Sequence, residues 1–203
     1  MPRPKRRKGD LAPDPEIWAA LAEGAGLRDV LTDFYTRVYS DPRLSPFFRF
    51  ATRARAIEKQ YSFLREIFTG EECYFGHRPL NAHHWMVISD ELFDYREALM
   101  EDCLARYGLP PHLIRRFRAV DEVFRKQIVK DAPRPLRLRG EDLPLEGFSD
   151  VEIAGGTICD ECQGPIEAGQ SARYHVRTGH TYCGRCSPAV EAAARAESPK
   201  PPG

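Results

Sequence analysis

The chain has 203 residues, with 30 basic and 30 acidic side chains and a pI near 7. This length suits one ordinary domain or a small domain with an appendage, the balanced charge excludes a whole-surface nucleic-acid binder, and no apolar run approaches the roughly 18 residues of a membrane span. The basic start lacks the apolar stretch of a secretory signal, so a cytoplasmic, reducing setting is expected, where cysteines bind metal more often than they form disulfides.

The segment Pro2 to Lys8 carries five positive charges and no core residue, and residues 1–14 are expected to be a disordered basic tail. From Pro15 to Asp131 the pattern is helical. Glu16 to Ala22 is a short amphipathic piece ended by Glu23-Gly24-Ala25-Gly26. A longer helix carries Leu27, Leu31, Phe34 and Val38 at helical spacing and stops at Asp41-Pro42. The next has two inward rows, one of Ala54, Ile57, Tyr61, Leu64 and Phe68, the other of Ala56, Gln60, Phe63 and Ile67, and ends at Thr69-Gly70. A polar loop runs to about Pro79, and Leu80 to Val87 forms a short helix. Ser89 caps the following helix, with Asp90 and Glu91 in its first turn. That helix ends at Gly108-Leu109-Pro110-Pro111. The last one shows Leu113, Phe117, Val120, Phe124 and Ile128 on one face. No strand alternation interrupts this span, so residues 15–131 form an all-α domain.

Residues 132–156 lose the periodicity and are expected to be a linker, loosely packed through Leu136, Leu138, Leu143 and Leu145. Residues 157–190 form a second, tiny module, and 191–203 a flexible tail with an Ala-rich turn of helix. Cys159-x2-Cys162 and Cys183-x2-Cys186 stand 20 residues apart. Two such knuckles point four thiolates at one ion, the spacing of a structural zinc site. Ile166, Gly169, Tyr174 and Val176 would form a small hairpin between them. Two disulfides and a rubredoxin-like iron centre are the alternatives, and His180 competes with Cys186 for the fourth position, as in a LIM-type finger. So small a module depends on metal for its folding. A closed zinc site carries no catalysis; its surface is open to a protein partner, nucleic acid or the helical domain.

Within the helical domain three residues depart from a plain bundle. Gln60 interrupts an apolar row, Tyr35 lies among inward residues, and His83-His84 precedes Trp85-Met86-Val87-Ile88. Together they suit one polar ligand inside an apolar pocket. The segment Asp33-Phe34-Tyr35-Thr36-Arg37-Val38-Tyr39-Ser40-Asp41-Pro42-Arg43-Leu44, the pair Phe47-Phe48, Lys59-Gln60 with Phe63-Leu64, and Tyr74-Phe75-Gly76 nine residues before His83 occur in order. Ile88 and Phe93 follow His83 at five and ten residues. In these features residues 15–131 resemble the truncated, or two-over-two, haemoglobins, and the module resembles zinc ribbons and treble-clef modules as a class.

The resemblance implies a truncated globin fold holding haem b. His83 would ligate the iron, with His84 the less well spaced candidate. Tyr35 and Gln60 would be the hydrogen-bond donors on the open side, and Ala56 would stand where larger globins keep a distal histidine. Phe48 would pack on the porphyrin, Lys59 would reach a propionate, and Phe63, Leu64, Ile88 and Phe93 would line the cavity. The implied function is reversible binding of a diatomic gas, O2 or NO, served by an unidentified reductase, with the zinc module for docking or regulation. Nitric oxide dioxygenase activity is the enzymatic alternative, and a haem-free regulator using the zinc module and basic tail is a further one. Neither a membrane nor nucleic acid is an expected partner. Thr69-Gly70-Glu71-Glu72 departs from the family's usual Gly-Gly pair. Arg96 falls where an apolar pocket residue is common, so it is expected to turn outward or meet a propionate. Cys103 reads as core packing and Cys73 as an ordinary loop residue.

Overall fold

The structure, a computed structural model, describes residues 11–49, 51–138, 140–153 and 156–197. The chain divides between Ala132 and Pro133 into two compact units. In the first, α1 (Pro15–Ala20) is followed by α2 (Ala25–Ser40), a 3-10 turn at Ser45–Phe48, α3 (Arg53–Thr69), α4 (Pro79–Ala82), α5 (Asp90–Tyr107) and α6 (Pro111–Ile128). The basic run Pro2 to Lys8 lies outside the described residues. Residues 11–14, expected to belong to the disordered tail, are built into the fold. Leu11 packs on the core, Asp14 caps α1 through Ile17 N–H, and Asp14 N–H donates to Phe68 O at 2.9 Å.

Local signals set the helix ends. Thr52 and Ser89 accept from Arg55 N–H and Leu92 N–H, satisfying first-turn donors that have no helical partner. Gly70 and Gly108 close α3 and α5 at φ +76° and +95°, a left-handed turn that glycine makes without a Cβ clash. The stripe Leu27, Val30, Leu31, Phe34, Tyr35 and Val38 buries the inner face of α2, which packs on α3 and α5, while α5 packs on α6. Of the two rows expected on α3, the one with Ala56, Phe63 and Ile67 reaches the core. The other is buried at Leu64 and Phe68, packs on the core at Ile57 and Tyr61, and is exposed at Ala54. Phe68 meets Phe117 of α6 with ring centroids 5.5 Å apart. Burying each such ring contributes about 1.5–3 kcal/mol, so these contacts fix how the helices pair. Cys103 lies in this core.

One expected helix is shorter than its sequence suggested. Leu80 to Val87 yields only α4, because His83 sits past its end at φ −107° and ψ 13°. Ile88 then forms an isolated bridge with Lys130.

The second unit, where a linker and a small module with one hairpin were expected, is mostly strands. Its elements are β1 (Arg137–Leu138), β2 (Glu141–Asp142), β3 (Phe148–Glu152), β4 (Thr157–Ile158), β5 (Pro165–Ile166), β6 (Ser171–His175), β7 (Thr181–Tyr182) and α7 (Ser187–Glu197). β6 is the centre of an antiparallel sheet ordered β3-β6-β7, with Val151 opposite Ala172. So β3, from the expected linker, supplies an edge of the sheet, and Leu136 is fully buried with Tyr174 and Val176. The expected hairpin around Gly169 is absent: Ile166 lies on β5, which pairs with β4, while Tyr174 lies on β6. Part of the expected flexible tail is helix α7, where Glu191 pairs with Arg173 of β6 at 2.6 Å. Pro199 to Gly203 lie outside the described residues.

Candidate functional site

The inward face of α2 brings Tyr35 to the interior at 5% exposure. Its hydroxyl makes no hydrogen bond with a described residue, and burial holds its proton well above the usual phenol range. Phe48, from the turn after Asp41-Pro42, lies edge-on to Tyr35 at 5.6 Å and is tilted against Tyr39 at 5.4 Å. Tyr39 in turn donates to Ala51 O at 2.7 Å, which anchors the entry to α3.

On α3, Ala56, Phe63 and Leu64 are buried, while Lys59 and Gln60 are half-buried. The Gln60 side chain makes no hydrogen bond with a described residue. The loop after α3 lacks a Gly-Gly pair, and Glu66 does the ordering instead. Its carboxylate accepts from Cys73 N–H at 3.2 Å, Tyr74 N–H at 2.9 Å and Arg78 at 2.6 Å. Tyr74 then packs edge-on to Phe63 at 5.1 Å and donates to His77 O at 2.7 Å. Burial is the largest influence lowering the His77 pKa, and Lys59 and His84 add to it, so Lys59 reaches this corner. Burial also raises the Cys73 thiol pKa, which keeps it a thiol rather than a nucleophile.

The Pro79 carbonyl accepts twice from His83: from its N–H at 3.1 Å and from ring Nδ1 at 2.9 Å. The second contact makes Nδ1 the protonated nitrogen and leaves the Nε2 lone pair free to bind a metal. Desolvation pushes the His83 pKa down to about 4, so its ring is neutral at pH 7. His84 is 3% exposed and its N–H donates to Asn81 O. Ile88 is half-buried and Phe93 is buried.

Arg96 turns inward, against expectation. Its Nη1 donates to Glu97 at 2.5 Å and Asp121 at 2.7 Å, and its guanidinium lies 4.8 Å over the Phe34 ring. Glu97 is 1% exposed and Asp121 7%. The charges of Arg96 and Asp121 act on both Tyr35 and His83. This buried group was missed from the sequence. Its signal is a pair of charges at helical spacing between Phe93 and Met100, answered by Asp121 a whole helix later.

In the second unit the Sγ atoms of Cys159, Cys162, Cys183 and Cys186 lie within 4.8 Å of one another. Asp160 ties the knuckles together: its N–H donates to Thr181 O at 2.9 Å, and its carboxylate accepts from Thr181 N–H at 2.8 Å. The Gly164 backbone first, then Arg185, pull the Cys162 pKa down to about 6, while burial raises Cys186 to about 12. None of the six cysteines is disulfide-bonded in this structure. His180 is not in the cluster; its ring meets Tyr182 Oη at 3.1 Å.

Comparison with known proteins adds a family and a fold. Residues 17–130 match the model of the bacterial-like globin family. The truncated haemoglobin of Tetrahymena pyriformis in its Fe(III) form is similar at 23% identity and a TM-score of 0.53, over 57% of this chain and 98% of that one. The haemoglobin of the thermophilic phototrophic bacterium Chloroflexus aurantiacus is similar at 26% identity and a TM-score of 0.50, over 58% and 99%. No described helix is long and apolar enough to cross a membrane.

Proposed function

The chain belongs to the bacterial-like globin family, and from that premise we propose that it is a truncated globin that holds haem b through His83 and binds a diatomic gas reversibly, with one zinc ion in its second unit. The observation behind this is the His83 ring: Nδ1 is occupied by Pro79 O at 2.9 Å and Nε2 is the only donor left to a metal. Haem, when bound, supplies an iron with one position open to a small ligand.

The residues of the chain do the rest. His83 gives a neutral electron-pair donor whose tautomer is already set. Tyr35 is buried and its hydroxyl has no acceptor among the described residues, so it can donate to a ligand that takes on negative charge, a bond worth about 1 kcal/mol. Gln60, half-buried on the next helix, is a second donor. Phe48, Ala56, Phe63, Leu64 and Phe93 exclude water, and Lys59 sits at the polar corner with His77, suited to a propionate. The donor set fits haem in every respect but one: Arg96 brings a cation to an otherwise apolar wall, balanced by Glu97 and Asp121.

For the second unit the support is chemical and metric. Four thiolates crowded together need a cation, and ligands about 2.3 Å from a tetrahedral zinc lie roughly 3.8 Å apart. Cys162 and Cys183 Sγ stand at 4.0 Å. The site would be closed, hence structural, and its role one of docking or regulation.

The test is the Soret absorbance of the purified chain, reconstituted with haemin where needed. His83→Ala should lose most of it and His84→Ala should keep it. The reverse pattern would assign the iron to His84, and a colourless wild-type chain would refute the haem reading altogether.

A further inference from the structure

Lys130 stands two residues past α6. Its backbone N–H donates to Ile88 O at 3.0 Å, and its ammonium donates to His83 O at 2.6 Å and to Ile128 O at 3.3 Å. One residue therefore fastens both ends of the stretch 83–88 to the C-terminal end of α6. The last carbonyls of a helix lack internal partners and carry partial negative charge, so this is a favourable place for a cation. Hydrogen bonds from an ionised donor are roughly twice as strong as neutral ones.

The tie is a long-range bond at a backbone otherwise held locally, where the His83 N–H donates to Pro79 O at 3.1 Å. His83 lies outside any helix, and the other bond to its carbonyl is the local one from Met86 N–H at 3.1 Å. The ring of His83 is hooked from below by Pro79 O, and its backbone is held from the α6 side by Lys130. With both points fixed, the direction of the Nε2 lone pair is fixed as well. Releasing the Lys130 bond leaves the His83 carbonyl with its local bond from Met86 N–H, so the loop, and the ring with it, gains freedom to shift.

We propose that Lys130 is a positioning residue for His83, setting the height and tilt at which the imidazole is presented to iron. The proposal rests on the haem reading above. It goes beyond it by naming a residue remote in sequence that acts through the His83 backbone.

The experiment is resonance Raman spectroscopy of the ferrous, ligand-free full-length protein, together with the rate of haem transfer to an acceptor apoglobin. In Lys130→Met the iron–histidine stretching band should move or broaden, and haem should leave about tenfold faster. Lys130→Arg, which keeps a charged donor, should recover much of both. Lys130→Gln is read in the same way if the Met variant does not fold. An unchanged band in the neutral variants overturns the proposal even if haem leaves faster, since a purely structural lysine would alter retention without altering the bond. A wild-type chain with no Soret band fails at the earlier step, on the haem reading itself.

Discussion

Glu97 offers a direct test of how the buried charges of the helical unit are balanced. Its side chain is 1% exposed and shares Arg96 Nη1 with Asp121. One cation between two carboxylates leaves one negative charge over. The cation gains from this: burial works against the charge of Arg96, but Glu97 and Asp121 outweigh it and its proton is held more tightly. The surplus falls on Glu97. Burial is the largest influence, and with Asp121 it raises the carboxyl to about 7 from an ordinary 4.5, against the opposing pull of Arg96 and Arg118. An acid whose pKa is higher in the folded state binds more protons folded than unfolded between the two values. Its contribution is therefore most favourable below the unfolded pKa and is lost as pH rises through about 7. At 1.36 kcal/mol per pKa unit, the gap corresponds to about 3 kcal/mol. Glu97→Gln keeps the shape and never ionises. In urea unfolding followed by the helical circular dichroism signal, with wild type and variant in the same haem-loaded state, the variant should gain on wild type by up to about 3 kcal/mol between pH 5 and pH 8. Parallel pH curves, or a variant that falls further behind at pH 8, would refute the reasoning. They would mean that the ionised Glu97 is a net stabiliser.

Three further outcomes follow from the same geometry. Tyr35→Phe should speed O2 release roughly 5- to 10-fold in stopped flow, as expected for a lost bond of about 1 kcal/mol. Gln60→Leu should do less because Gln60 is half-buried, and the pair should be less than additive if both donors serve one ligand. Cys159→Ser and Cys186→Ser should each lose the single zinc found by elemental analysis, whereas His180→Ala should keep it because its ring turns to Tyr182. A chain ending at Ala132, where the first compact unit ends, should bind haem with an unchanged spectrum; loss of the Soret band would show that the second unit supports the pocket.

The helices were legible because their signals are local. The stripe from Leu27 to Val38, the cap at Ser89 and the stop at Gly108 are each read within a turn or two of chain, and the structure has α2 and α5 where they point. The inward turn of Tyr35 was legible for the same reason. What escaped were features decided by partners distant in sequence. Arg96 was expected to turn outward or meet a propionate, and its inward turn rests on Glu97 beside it and on Asp121, 25 residues on. Leu80 to Val87 has helical composition, but His83, its ring hydrogen-bonded to the Pro79 carbonyl, leaves helical geometry and caps the helix after Ala82.

The second unit separates the two kinds of information most clearly. A Cys-x2-Cys knuckle is a local turn, so its chemistry can be read from four residues. A sheet of two- and five-residue strands cannot, since β3 has too few residues for an alternation to show and finds β6 only beyond the segment 153–170. Yet the two are physically joined. Cys159 is fully buried and belongs to the apolar cluster with Ile166, Ala172 and Tyr182. A thiolate there is compensated by a metal or it is a charge inside a core, which is costly without a partner. With the zinc proposed above bound, removing it would do more than empty a site. It would force Cys159 either to take up a proton or to leave the core, and the sheet that packs on it would lose its centre, so metal binding and folding of this unit would be one equilibrium.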